Sequence, residues 1–184
     1  MKIIVLDRDG VINQDSDEYI KSAEEFIPIE GSIEAIAKLS NAGYTVTIAT
    51  NQSGLARAYF DEEALSEMHH LLCSMVEAAG GSIDGVFYCS HLPIDNCACR
   101  KPKTGLLEQI EKEFSCQLEG SFFIGDSLKD IQAARAFGCY PVLVRTGKGL
   151  ITERSLLSEA ANDVRVFDDL SSAVVGILDA QEYV

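Results

Sequence analysis

The chain has 184 residues, 47% hydrophobic and 24% charged, an ordinary balance for a globular protein and enough to bury roughly 70% of the surface of its unfolded form. A net charge of −14 argues against a nucleic-acid polyanion as partner, but leaves room for a small phosphorylated substrate at a locally positive site. No apolar run reaches the length of a membrane span.

Met1-Lys2 leads straight into a strand-like run, without the long apolar region and cleavage site of a secretory signal. A cytoplasmic protein is expected, with no membrane partner. Of the six cysteines, Cys89, Cys97 and Cys99 crowd together with His91. Cys73, Cys116 and Cys139 are scattered and read as small buried hydrophobes.

In chain order, Ile3, Ile4, Val5 and Leu6 form an unalternating apolar run, the pattern of a central strand buried on both faces. It ends in Asp7-Arg8-Asp9-Gly10. Two carboxylates two residues apart at the carboxyl end of such a strand stand where open α/β sheets bind ligands. Residues 11–31 read as a loop, with acidic Asp15, Asp17 and Glu18, that could form a flap over the site. Ser32 is expected to cap a helix over residues 32–41 that Gly43 ends.

A second buried strand is predicted over 44–49, with Thr50 and Asn51 just beyond its end. Asp61 caps a longer helix, in which Leu65, Met68, Leu72, Met75 and Val76 form a core stripe. His69 and His70 lie in that helix with no partner spacing and read as structural or solvated. Strands are predicted over 86–89, 121–124, 141–144 and 164–167. Helices are predicted at 105–114, 128–137 and 170–180, and a polar loop with a short helix at 146–163. Strands alternating with helices predict one α/β domain over residues 1–184, a Rossmann-like three-layer sandwich with a mostly parallel sheet. No large cap domain fits between the motifs.

Asp7/Asp9, Thr50/Asn51, Arg100/Lys101 and Asp126/Asp130 all fall at or beyond strand ends, and parallel strands bring such ends to one edge. Together they suit phosphoryl transfer. One carboxylate attacks phosphorus and a second acid serves the leaving oxygen, while hydroxyl and ammonium groups hold the phosphoryl oxygens and Mg²⁺ offsets the crowded charge. The spacing C-x-H-x5-C-x-C of Cys89, His91, Cys97 and Cys99 suits a closed, structural tetrahedral Zn²⁺ site. Arg100 and Lys101 follow at once, so a zinc clamp would fix the loop that delivers them.

The order DxDG, strand-Thr-Asn, Lys, GDxxxD resembles the haloacid dehalogenase superfamily of phosphatases over essentially the whole chain. That resemblance implies Asp7 as nucleophile, Asp9 as general acid/base, and Thr50 and Lys101 as phosphoryl stabilisers. It implies Mg²⁺ on the Asp7 carboxylate, the Asp9 backbone carbonyl and Asp126, with Asp130 orienting Lys101 or a metal-bound water.

The zinc loop narrows the resemblance to two families. TNQSGLARAYF at 50–60 and VRTGKG at 144–149 are similar to the D-glycero-D-manno-heptose 1,7-bisphosphate 7-phosphatases. The short gap before Cys97, and HLP at 91–93, look as much like the histidinol-phosphate phosphatases. The heptose resemblance is favoured. It implies a sugar bisphosphate substrate, bound by Asn51, Gln52, Ser53 and Arg100, with Arg57 reaching toward the uncleaved phosphate or simply solvated. It also implies a place in ADP-heptose and lipopolysaccharide core synthesis. Residues 15–18 would meet sugar hydroxyls or form a solvated acidic loop. Ser127 stands where relatives can carry Lys. A monomer is expected.

Overall fold

In the computed structural model, which describes residues 1–158 and 163–180, six strands form a single parallel sheet. They are β1 Lys2–Leu6, β2 Tyr44–Asn51, β3 Gly85–Cys89, β4 Phe122–Gly125, β5 Tyr140–Val144 and β6 Arg165–Phe167, in the order β3-β2-β1-β4-β5-β6. The helices are α1 Ser32–Asn41, α2 Glu62–Ala78, α3 Gly105–Phe114, α4 Leu128–Phe137, α5 Gly149–Ser158 and α6 Leu170–Asp179.

The unalternating run of β1 is explained by two cores. Ile4 and Leu6 pack into a cluster with residues of α1, α2 and α6, including Ile36, Met68 and Val174. Ile3 and Val5 face the opposite way, toward Leu106 and Ile110 of α3 and Ala133 of α4. Both faces of the strand are dry. Each of these side chains contributes roughly 2 kcal/mol through burial.

The strand order reverses direction beside β1, whose neighbours are β2 on one side and β4 on the other. In such sheets the loops leaving the two strands at the reversal diverge to opposite faces and open a crevice at the strand ends. The loops after β1 and β4 carry Asp7-Asp9 and Asp126.

Two boundaries differ from expectation. Ser32 does not cap α1. Gly31 precedes the helix at φ 77°, a backbone region costly for residues with a Cβ, and Ser32 Oγ donates instead to the Ile12 carbonyl at 2.7 Å. Thr50 and Asn51 are the last residues of β2, in register with Tyr88 and Cys89. Their strand position fixes both against the cysteine loop. Asp61 caps α2 as expected, its Oδ1 accepting from Ala64 N at 2.9 Å. Residues 11–31 hold a short 3-10 turn, Ala23–Glu25, and the expected polar loop and helix of 146–163 includes 159–162, outside the described residues.

Candidate active site

The β1 strand ends with the Asp7 N–H donating to the Ile124 carbonyl of β4 at 2.9 Å, so Asp7 is held at the mouth of the crevice. Lys101 enters from the loop before α3 and is nearly inaccessible to solvent. Its Nζ lies 2.9 Å from Asp7 Oδ1 and 2.6 Å from Asp130 Oδ1, and donates to the Ala49 carbonyl at 2.8 Å. Burial alone would lower the Lys101 pKa, but the charges of Asp130 and Asp7 outweigh it and raise it. The ammonium is therefore permanent.

Asp7 goes the other way. Burial pushes its pKa well above the usual carboxylate range, with Asp130 and Asp126 adding to the push against the pull of Lys101. Burial, then the Asp130 charge, raise Asp126 to about 7. Oxygens of Asp7, Asp126 and Asp130 lie within 4.8 Å of one another. Such a cluster is short of positive charge. Asp130 is already occupied, by Lys101 and by Ser127, whose N and Oγ donate to its Oδ2 at 3.0 and 2.6 Å. Asp7 and Asp126 are each engaged through one oxygen, Asp7 Oδ1 by Lys101 and the Arg8 N–H and Asp126 Oδ2 by the Lys148 N–H at 2.8 Å, so a cation would meet their other oxygens. Gly10 and Gly147 make room here: a Cβ at either would overlap Asp126 Oδ2.

Asp9 is clamped. Arg8 Nε and Asn13 Nδ2 donate to its Oδ1 at 3.0 and 2.9 Å, while Arg8 Nη2 and Gln52 Nε2 donate to Oδ2 at 3.1 and 2.8 Å. Burial works against ionisation, but the Arg8 charge and these donors outweigh it and lower the Asp9 pKa. Gln52 also donates to Thr50 Oγ1 at 3.0 Å. Asn51 holds the Lys101 backbone, donating to its carbonyl at 3.2 Å and accepting from its N–H at 3.1 Å.

Above these groups opens a cleft of about 1050 Å³. Asp7, Asp9, Thr50, Asn51, Gln52, Ser53, Arg100, Lys101 and Asp126 all line it, as do Asp15 and Asp17, but neither Glu18 nor Arg57 is among the lining residues; Arg57 is exposed. Sequence reasoning missed part of the rim. Beside the expected Arg100, Lys129 and Lys148 also line the cleft, and burial together with the charges of Arg100 and Lys148 lowers the Lys129 pKa. Lys148 Nζ sits 3.0 Å from Asp15 Oδ2. Thr146 Oγ1 donates to the Gly10 carbonyl at 2.7 Å, tying the RTGKG loop to the DxDG loop. That motif was a signal for Lys148. For Lys129, an unremarkable helix lysine, there was none.

Beside the cleft, Cys89, His91, Cys97 and Cys99 converge. Sulfur-to-sulfur distances run from 3.2 to 3.6 Å, and His91 Nδ1 lies 3.6 and 3.3 Å from the Cys89 and Cys99 sulfurs. A tetrahedral Zn²⁺ with bonds of about 2.3 Å needs donor spacings of roughly 3.8 Å, so the four fit with small side-chain adjustments. Arg100 Nη1 donates to the His91 carbonyl at 3.2 Å, which links the cluster to the cation rim.

A parallel sheet with a carboxylate pair at its reversal, a buried lysine and an acidic loop from the neighbouring strand defines a haloacid dehalogenase-like phosphatase, and residues 98–173 match the HAD-hydrolase-like family. The chain is 51% identical over 176 residues to the D-glycero-beta-D-manno-heptose-1,7-bisphosphate 7-phosphatase of Pseudomonas aeruginosa, covering 96% of this chain and 97% of that one. It is 48% identical to the protein of that name from Neisseria meningitidis, over 100% of this chain and 95% of the relative. The crystal structure of D,D-heptose 1,7-bisphosphate phosphatase from B. bronchiseptica, complexed with magnesium and phosphate, superposes with a TM-score of 0.92 at 44% identity, covering 98% of this chain and 99% of that one. The chain belongs to this family of heptose-bisphosphate phosphatases.

Proposed function

We propose that the chain hydrolyses the C7 phosphate of D-glycero-β-D-manno-heptose 1,7-bisphosphate and leaves the C1 phosphate in place. The observation that carries this is a cleft with a carboxylate floor and three cations higher on its wall, Arg100, Lys129 and Lys148, of which Lys148 is paired with Asp15. A floor that attacks one phosphate and a rim that attracts a second suit a bisphosphate. Histidinol phosphate has no second phosphate, and its ammonium group would meet Arg100, Lys129 and Lys148 with like charge. The names of the relatives support the heptose substrate and its β anomer. The product would feed ADP-heptose synthesis for the lipopolysaccharide core.

In the mechanism, Asp7 attacks phosphorus, the ester P–O bond breaks, and an aspartyl-phosphate forms. Lys101 and Thr50 stabilise the phosphoryl oxygens. Asp9 protonates the departing C7 oxygen, then removes a proton from the water that cleaves the aspartyl-phosphate. At rest Asp9 is ionised, and the negative charge of an arriving phosphate favours its protonation. Asp7, the Asp9 backbone carbonyl and Asp126 would hold Mg²⁺, which when bound supplies the positive charge that the carboxylate cluster lacks. Gln52 orients Asp9, Asn51 orients Lys101, and Ser53 and Arg100 face the substrate. Asp15 and Asp17, which line the cleft, would meet sugar hydroxyls. Cys89, His91, Cys97 and Cys99 would hold a structural Zn²⁺ that fixes Arg100 and Lys101.

The test follows the bisphosphate by ³¹P NMR with Mg²⁺ present. Loss of the C7 phosphomonoester signal with the C1 signal intact is expected, and no turnover by Asp7→Asn. Release from C1, or activity surviving in Asp7→Asn, would contradict the proposal.

A further inference from the structure

Arg8 lies between the two motif carboxylates, is fully buried, and has two partners. Its Nε and Nη2 face Asp9 as a fork. Its Nη1 lies 3.3 Å from Nε2 of His69 on α2. A guanidinium has no lone pair to offer, so His69 must accept in this bond and carry its own proton on Nδ1. Burial, then the Arg8 charge, press the His69 pKa down to about 4. The imidazole therefore stays neutral, and keeps accepting, throughout the neutral range.

His69 is not among the residues lining the catalytic cleft. Its ring walls a separate cavity of about 500 Å³ with Glu62, Ser66 and Tyr88. Tyr88 fixes it from that side, with ring centroids 6.0 Å apart, and Tyr88 is itself held by a 2.7 Å hydrogen bond to Glu62. Across Arg8, the Phe26 ring lies 5.9 Å from the guanidinium carbon. The guanidinium is thus held by a ring on one face and an imidazole at one corner, which leaves its remaining edge for Asp9.

We infer that His69 is a positioning residue for the general acid/base: by occupying Arg8 Nη1 it sets the guanidinium plane, and through it the direction in which Asp9 meets the leaving oxygen. This rests on the assignment of Asp9 as acid/base. The electron pair of the broken P–O bond goes to the leaving oxygen, which takes the Asp9 proton. That proton matters in proportion to the basicity of the oxygen. A sugar alkoxide needs it, whereas p-nitrophenolate leaves without help. Misplacing Asp9 should therefore harm cleavage of an alkyl phosphate much more than of an aryl phosphate. General loosening of the fold would harm both.

The experiment compares kcat/KM of the wild type, His69→Ala, His69→Leu and His69→Gln, each checked by thermal melting, on the heptose bisphosphate and on p-nitrophenyl phosphate with Mg²⁺. His69→Ala and His69→Leu should lose about tenfold or more on the sugar phosphate and less than about twofold on the aryl ester. His69→Gln, whose amide oxygen can accept from Nη1, should recover most of the loss. Equal losses on both esters, or undiminished sugar-phosphate turnover in a folded Leu or Ala variant, would overturn the inference. If the heptose reading alone is wrong, the wild type ignores the bisphosphate, and any other alkyl phosphate it cleaves serves for the comparison. A wild type inert toward every phosphate monoester would overturn both.

Discussion

At the scale of single residues, the site combines groups whose environments push them in opposite directions. Asp7 and Asp126 are pushed up and Asp9 is held down, and Lys101 is a permanent cation between Asp7 and Asp130. Gly147 shows how little spare volume remains. It has φ +55°, and a Cβ there would overlap both Asp126 Oδ2 and the Gly10 Cα of the DxDG loop. Gly147→Ala should lower kcat/KM by about tenfold or more, measured beside a thermal melt; full activity would show that the loop adapts. His69 gives a pH test. Its folded pKa, about 4, lies below the 6.5 of an unperturbed imidazole, so the unfolded chain binds the proton more readily. The effect on stability is nil above pH 6.5 and grows as pH falls toward 4, costing about 2 kcal/mol by pH 5. Urea unfolding of wild type and His69→Gln should show the difference between them flat above pH 6.5 and moving against the wild type below it. Asp7, Asp9 and Asp126 were legible in the sequence because they stand at the ends of apolar runs. Arg8 was not, because a charged residue between two aspartates reads as a turn and nothing local signals complete burial. Its contact with His69 joins residues far apart in the chain, a link no spacing rule reveals.

At the scale of elements, a metal held by the cysteine loop would connect stability to catalysis. Cys89 ends β3, and the loop after it returns His91, Cys97 and Cys99 to the same point. Gly105 at the start of α3 packs so closely that a Cβ would sit 2.7 Å from the Ala98 carbonyl. Arg100 and Lys101 are carried between these two fixed ends. Metal chelation or Cys97→Ser should therefore lower the melting temperature and kcat/KM together; full activity in demonstrably zinc-free protein would refute the coupling. Element types were readable because β1 has no alternation and α2 has a clear apolar stripe behind Asp61. The start of α1 was misread, since Ser32 looks like a cap until the Ile12 carbonyl, twenty residues earlier, takes its hydroxyl. Thr50 and Asn51 were expected beyond β2, because polar residues after an apolar run suggest a loop. Pairing with β3 keeps them in the strand.

At the scale of the whole molecule, strand order decides where chemistry occurs. The reversal beside β1 brings the loops after β1 and β4 to one crevice, and the β2 end and the cysteine loop supply the rest. The chain carries an excess of acidic residues, so the cluster of Arg100, Lys129 and Lys148 on one rim is local and specific. Parallel order and the shared edge followed from alternation of strands and helices. The cation rim did not, since it is assembled from three loops and helices that meet only after folding. Substrate preference is tested most directly by kcat/KM with Mg²⁺ for the β and α anomers of heptose 1,7-bisphosphate and for histidinol phosphate, with Asp7→Asn as blank. The β anomer should be preferred over histidinol phosphate by at least about a hundredfold, equivalent to about 2.7 kcal/mol of transition-state discrimination. Equal or greater activity on histidinol phosphate would contradict it.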